Sequence, residues 1–274
     1  MLSKNRQVAS IFFDVKKAFG SVPHDKLILS LARTGISSPL LQWFLDYLTN
    51  RQQRVVLDGE SSSLVVAPSG VPQGSILGPL LFITFMNSIS DLPLSLGAKL
   101  VLYADDILLY KLINSPYDVL LLQHDVNLIL HWIRDQGLIP NHSKTVLLRV
   151  TRSKNVPTVN ISIDSHPHSR SESVKYLGVI LSSNLTWSKH INTICKTAKC
   201  HLGLIHRKLH QASPQARHTI YRSTILPKLD YCCSVWDPHH SNDIAALDRV
   251  QRFAGRVITH QCQSDNSTLL NSLN

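Results

Sequence analysis

Acidic residues are scarce in this chain: 18 Asp and Glu stand against 28 Lys and Arg, a formal net charge of +10. The shortage is uneven. Up to Val150 there are 13 basic and 11 acidic residues, and beyond it 15 and 7. A basic excess concentrated in the back half speaks against a basic partner there and points to a polyanion. Cysteine is sparse as well, with Cys195, Cys200, Cys232, Cys233 and Cys262 and no C-x-x-C pair. An odd count behind a polar start, Met1-Leu2-Ser3-Lys4-Asn5-Arg6-Gln7, argues against a secreted disulfide framework, and an intracellular site (nucleus or cytoplasm) is expected. His239-His240 with Cys232-Cys233 fits no common zinc spacing. No apolar run is long enough to span a bilayer, and the richest, Leu100 to Tyr110, is broken by two aspartates. Internal repeats and low-complexity tracts are absent.

What remains is ordinary globular material, with 43% hydrophobic and 17% charged residues. Val8 to Val15 reads as a buried strand. Asp25 to Thr34 and Pro39 to Leu48 have helical spacing, and Gly35 stops the first. Asp58-Gly59 is a hairpin signal between Arg54–Leu57 and Leu64–Ala67. The turn-rich Ser69–Ser75 leads into an apolar helix over Ile76–Asn87, and Lys99–Leu112 holds two strands around the aspartates. A helix follows over Asp118–Gly137, then strands at Val146–Val150 and Val174–Leu181. The mixture lacks strict βαβ alternation, so an α+β fold is predicted. Ser153–Ser173 is the expected loop between two lobes. Beyond Ser188 only helices are predicted. One has a stripe of Ile191, Ile194, Ala198, Leu202, Ile205 and Leu209. The last starts from Ser241 as N-cap and buries Ile244, Leu247, Val250, Ala254 and Val257.

Two adjacent acids inside an apolar run need a reason, because burying a carboxylate is costly unless it is paired or bound to a cation. A tight turn would lift Asp105 and Asp106 to one rim of a sheet. If the strand ending at Asp14 lies beside that hairpin, three carboxylates meet at one edge, and oxygen clusters of this kind suit Mg²⁺. The duller reading is a solvated hairpin tip, since Asp is a common turn residue.

Phe13-Asp14-Val15-Lys16-Lys17-Ala18-Phe19 resembles the first palm motif of reverse transcriptases from non-LTR (LINE-type, jockey/CR1-like) retrotransposons. Gly70-Val71-Pro72-Gln73-Gly74-Ser75-Ile76-Leu77-Gly78-Pro79-Leu80-Leu81-Phe82 is similar to the second, Tyr103-Ala104-Asp105-Asp106 to the third and Asn141-His142-Ser143-Lys144-Thr145 to the fourth. Tyr176-Leu177-Gly178-Val179, with Leu185, Trp187 and His190, looks like the fifth. The five stand in the family's order from about Ile11 to about His260.

The resemblance implies a polymerase palm over residues 1–181 with an antiparallel sheet and packed helices, followed by a helical thumb-like region over 182–274. It implies RNA-directed DNA polymerase activity, with Asp14, Asp105 and Asp106 binding two Mg²⁺ ions (Mn²⁺ being the alternative). Lys144 would approach the triphosphate, and Val15 and Phe19 would line the incoming nucleotide, Phe19 beneath its sugar. Gln73 and Gly74 would lie along nucleotide and template, and Tyr176, Leu177 and Gly178 would hold the primer end. The implied partners are an RNA template, a DNA primer or hybrid duplex and deoxynucleoside triphosphates, with no membrane; oligomeric state is left open. Phe19 as plain core packing and Trp187 as a core anchor are the structural alternatives. Two departures stand out. Gly20 replaces an Asp typical of the first motif, and the family's fingers precede that motif, so this chain is expected to lack them. A truncated copy that binds nucleic acid without turnover is therefore the competing expectation. A phosphotransferase of other specificity on the same acids is a weaker third.

Overall fold

The computed structural model describes residues 7–151, 153, 157–163, 166–167 and 170–259. The chain divides into two compact units, Met1–Glu172 and Ser173–Asn274.

The first unit opens with strand β1 (Gln7–Phe13) and helices α1 (His24–Arg33) and α2 (Ser38–Leu48). Four two-residue strands follow: β2 (Gln52–Gln53), β3 (Val56–Leu57), β4 (Glu60–Ser61) and β5 (Val65–Val66). Then come helix α3 (Leu77–Met86), strands β6 (Ala98–Tyr103) and β7 (Asp106–Ile113), helix α4 (Pro116–Asp135) and strand β8 (Val146–Thr151). Three short strands close it: β9 (Ser162–Ile163), β10 (His166–Pro167) and β11 (Arg170–Ser171). The main sheet has the order β11-β8-β1-β7-β6. β1 runs antiparallel to both β7 and β8, and β6 and β7 form an antiparallel hairpin. A central strand is covered on both faces, which explains why β1 is apolar almost throughout: Ala9, Ile11, Phe12 and Phe13 are all buried.

Helices α3 and α4 supply much of the remaining core. Phe82, Phe85, Val126, Ile129 and Ile133 are fully buried with Leu109 and Ile113 of β7. Helix α4 begins two residues earlier than its apolar periodicity suggested, because Ser115 caps it and Pro116 takes the first turn. Asp118 completes that capping box. Its partial burial raises the carboxyl pKa, but hydrogen bonds from the Asn114 and Ser115 backbones and the Ser115 hydroxyl outweigh this and hold it below the ordinary value.

Asp58 and Gly59 both take positive φ, as a two-residue hairpin turn demands. The flanking pairing differs from the sequence expectation. β3 pairs with β4 and β2 with β5, because Ser62 exchanges bonds with Val55 and interrupts the ladder. The stretch expected as a loop between lobes also differs. Its residues 152, 154–156, 164–165 and 168–169 lie outside the described ones, yet Val159, Ile161 and Ile163 enter the core of the first unit.

The second unit starts with a hairpin of β12 (Ser173–Tyr176) and β13 (Val179–Ser182). Helices α5 (Ser188–Lys208), α6 (Pro214–Ile220), α7 (Leu226–Asp230), α8 (Cys233–Trp236) and α9 (Ser241–Thr259) complete it. The α5 stripe is as read from periodicity: Ile191, Ala198, Leu202 and Ile205 are buried, and Ile194 and Leu209 pack against them. Trp187 packs against the same core. In α9, Ile244 is exposed, while Asp243 and Ala246 are buried beside Val250, Ala254 and Val257. The helix is turned so that Asp243 meets the Ser188 hydroxyl, which donates to its Oδ2 at 2.8 Å. His190 is buried; its Nδ1 accepts from the Ile180 N–H, and its ring meets Trp236 edge-on at 5.3 Å. Burial lowers its pKa, so the ring is neutral near neutral pH. No described helix is long and apolar enough to cross a membrane.

Candidate active site

The β6–β7 turn contains only Ala104 and Asp105, between the paired residues Tyr103 and Asp106. Ala104 takes φ of 52°, a region that costs a non-glycine residue of order 1 kcal/mol. The last pair between β1 and β7 is Phe13 with Ile107. Asp14 follows Phe13 and Asp106 precedes Ile107, so the register delivers both acids to the same end of the sheet, next to Asp105.

Electrostatics report the same proximity. The Asp106 pKa is raised first by partial burial and then by the negative charges of Asp105 and Asp14. Among the described residues no Lys or Arg forms an ion pair with any of the three. Nor do three His, Cys, Asp or Glu side chains among them come together as a ready-made metal cage. The carboxylates therefore share one uncompensated negative field without a closed ligand set. Oxygen donors repelling one another in this way fit a divalent cation by charge and by donor type.

Asp14 is held by a segment far away in sequence. Val15 bridges Pro140, and the Lys16 N–H donates to the Ile139 carbonyl. The Asn141 N–H donates to the Asp14 carbonyl at 2.8 Å, and Asn141 Nδ2 donates to Asp14 Oδ2 at 2.7 Å. Asn141 is itself buried, with its Oδ1 accepting from Ser143 and its backbone carbonyl from Thr145. Sequence reasoning quoted Asn141 only as a motif letter and gave its role to Lys144. Lys144 is exposed on the same turn, its N–H donating to the Asn141 carbonyl. Second-shell partners of metal-binding carboxylates typically carry 10–100-fold effects. Asn141→Ala should raise the Mg²⁺ concentration needed for half-maximal nucleotide incorporation about 10–100-fold, with saturating Mg²⁺ restoring much of the rate. An unchanged Mg²⁺ titration would show that Asn141 only supports the loop.

The glycine-rich loop before α3 docks on the segment after Asp14. The Gly70 N–H donates to the Val22 carbonyl, the Val71 N–H to the Phe19 carbonyl, and the Ser69 hydroxyl to the Gly20 carbonyl. A Cβ on Gly70 would stand 2.8 Å from the Gly20 Cα, so the two backbones touch. Position 20 itself has open space for a side chain. The loop carrying Phe19 is thus held by backbone bonds despite the missing Asp. Phe19 stacks on Phe82 with centroids 4.0 Å apart and 17° between planes. Val15 is buried in the core, whereas Gln73 and Gly74 are exposed at the loop tip.

Tyr176, Leu177 and Gly178 form the β12–β13 turn in the second unit, with Leu177 and Gly178 at positive φ. A residue not singled out from sequence secures it. The Tyr231 hydroxyl donates to the Leu177 carbonyl at 3.0 Å, and its ring lies where a Cβ on Gly178 would fall, at 2.9 Å.

An antiparallel sheet whose central strand and neighbouring hairpin present three acids at one edge, backed by helices, defines a polymerase-type palm. The reverse transcriptase (RNA-dependent DNA polymerase) family matches residues 2–181, and the chain belongs to that family. It is 29% identical over 258 residues to the probable RNA-directed DNA polymerase from transposon X-element of Drosophila melanogaster, covering 91% of this chain and 28% of that protein. It is also 29% identical over 250 residues to the RNA-directed DNA polymerase from mobile element jockey of Drosophila funebris, covering 86% and 26%. The jockey-like resemblance of the motifs agrees with these relatives, of whose length the chain spans roughly a quarter. Among solved structures, apo telomerase from Candida tropicalis aligns over 92% of this chain and 42% of its own, at 13% identity and a TM-score of 0.50, a likeness of fold.

Proposed function

We propose that this chain carries the nucleotidyl-transfer centre of an RNA-directed DNA polymerase, extending a DNA primer on an RNA template with deoxynucleoside triphosphates. The observation that carries the proposal is the meeting of Asp14 with the Asp105–Asp106 hairpin, where each added negative charge raises the cost of ionising Asp106. Asp14, Asp105 and Asp106 are the donors for two Mg²⁺ ions, whose chemistry when bound is to stabilise the attacking and leaving oxygens of an in-line phosphoryl displacement. Asn141 keeps the Asp14 carboxylate aimed at that site through its 2.7 Å bond. Phe19, braced by Phe82, is the flat surface beneath the incoming sugar, with Val15 fixing the strand end behind it. Gln73 and Gly74 lie along the template and nucleotide, where a glycine lets backbone approach a base pair closely. Lys144 donates a proton to the departing pyrophosphate, and Tyr176, Leu177 and Gly178 steady the primer end.

The test is incorporation of labelled nucleotide on a homopolymer RNA template with a DNA primer and Mg²⁺. The wild-type chain should extend the primer, prefer deoxyribonucleotides, and lose extension in Asp105→Asn. Hybrid binding without extension, unchanged by that substitution, would identify instead a nucleic-acid-binding relic. Equal use of ribonucleotides would remove the role given to Phe19.

A further inference from the structure

Helices α5 and α9 enclose an open cleft of about 400 Å³ that none of the palm chemistry uses. Asn192, Lys196 and Lys199 line one wall at helical spacing, Arg249 and Ala246 the other, and Cys195 and Cys200 complete it. The lining therefore holds three cations, an amide and no carboxylate. Among the described residues none of the three cations forms an ion pair. The buried acid nearest by sequence on α9, Asp243, is occupied by the Ser188 hydroxyl. The cations act on a common point. Burial raises the pKa of the Cys195 thiol, but Lys199 and Arg249, from opposite helices, both pull it down, and Asp243 opposes them. Three like charges gathered around a concavity repel one another, and an anion inside relieves that repulsion.

We propose that this cleft binds the phosphodiester backbone of a nucleic-acid duplex, with Lys196, Lys199 and Arg249 contacting phosphates and Asn192 donating to a phosphate oxygen. The assignment rests on the polymerase reading for the identity of the duplex, and on the cleft alone for the phosphate chemistry. Backbone contacts of this kind are independent of sequence and release counterions, so they are visible in the salt dependence of binding.

The experiment uses the full chain and a labelled RNA–DNA hybrid, with affinity measured by anisotropy across a salt series. The triple variant Lys196→Gln, Lys199→Gln, Arg249→Gln should lower the slope of log affinity against log salt by about 2–3. A control triple, Arg207→Gln, Lys208→Gln, Arg222→Gln, removes equal charge from exposed positions of the same unit outside the cleft and should change the slope less. Cys200 is exposed at the cleft and Cys233 is exposed on α8, so the two thiols can be followed separately by alkylation and peptide mass spectrometry. The hybrid should protect Cys200 and leave Cys233 reactive, whereas inorganic phosphate at equal phosphate concentration should protect neither. Equal slopes for the two triple variants, an unprotected Cys200, or no hybrid binding at low salt would overturn the assignment. Protection by inorganic phosphate to the same extent would overturn the backbone in favour of a free-anion site. Failure of primer extension with the slope loss intact would sink the polymerase reading and leave the cleft standing.

Discussion

An Asp106→Asn chain should be inactive and yet melt at a higher temperature than the wild type at neutral pH. The two effects have one cause. In the fold, ionised Asp106 is disfavoured by burial and by the charges of Asp105 and Asp14, so its pKa lies above the ordinary 3.8. A carboxyl whose pKa is raised by folding penalises the folded state wherever it must be ionised. This stability is fully present below the ordinary pKa and is lost as pH rises through the raised one. The melting difference between variant and wild type should therefore vanish in acid and open above about pH 4. Magnesium should narrow it, by stabilising the wild type more than the variant. Incorporation should fall at least about 10³-fold, roughly 4 kcal/mol of transition-state stabilisation. Thermal denaturation against pH, with and without Mg²⁺, checks the first part and primer extension the second. A variant that melts below the wild type at neutral pH would mean that the three acids do not repel one another as described.

The second large effect lies in a polar network under the same hairpin. Asp125 of α4 is fully buried and accepts from the Ser95 N–H at 2.8 Å and the Ser95 hydroxyl at 2.5 Å. Lys111 of β7 is 2% exposed, and its Nζ donates to Ser95 Oγ at 2.8 Å and the Leu96 carbonyl at 2.6 Å. The network ties α4 and β7 to the residues that lead into β6, and hence to the turn carrying Asp105. Asp125→Ala should destabilise the first unit by about 3–5 kcal/mol, because it leaves the Lys111 ammonium buried with only neutral partners. Against a typical total of about 5–15 kcal/mol, that change is large enough to unfold the unit at physiological temperature. Replacing both ends, as Lys111→Met with Asp125→Leu, should recover most of the loss, since no buried charge is then stranded. Chemical denaturation of the three variants decides it. A double variant less stable than Asp125→Ala would show that the network does more than neutralise a buried charge.

Neither Lys111 nor Asp125 was legible in the sequence as a buried pair. A lysine in a strand and an aspartate in a helix read locally as surface residues, and only the path of the chain through Ser95 brings them together. The acids of the site were far more visible. Asp105 and Asp106 interrupt an apolar hairpin, and Asp14 ends an apolar strand, so local pattern already announced a rim. Asn141 fell between these cases. Its motif was recognised, but an asparagine in a turn carries no periodic signal, and its bond to Asp14 spans 127 residues. Likewise Tyr231 braces the Leu177–Gly178 turn from 54 residues away in sequence.

The sequence by itself determined the strands and helices of both units, the carboxylates of the site, the basic excess beyond Val150 and the family. Local spacing and residue chemistry are enough for those, because strand alternation, helix periodicity and turn preference act over a few neighbours. Only the tertiary structure decided which residue holds Asp14, how the Gly70 loop rests on Gly20, that Phe19 is braced by Phe82, which strands pair around the Asp58–Gly59 turn, and that Val159, Ile161 and Ile163 join the first core. It also decided that Lys196 and Lys199 share a cleft with Arg249. These are choices of partner between distant parts of the chain. They are settled by which backbones approach and which polar groups are buried together, and no short stretch of sequence records them.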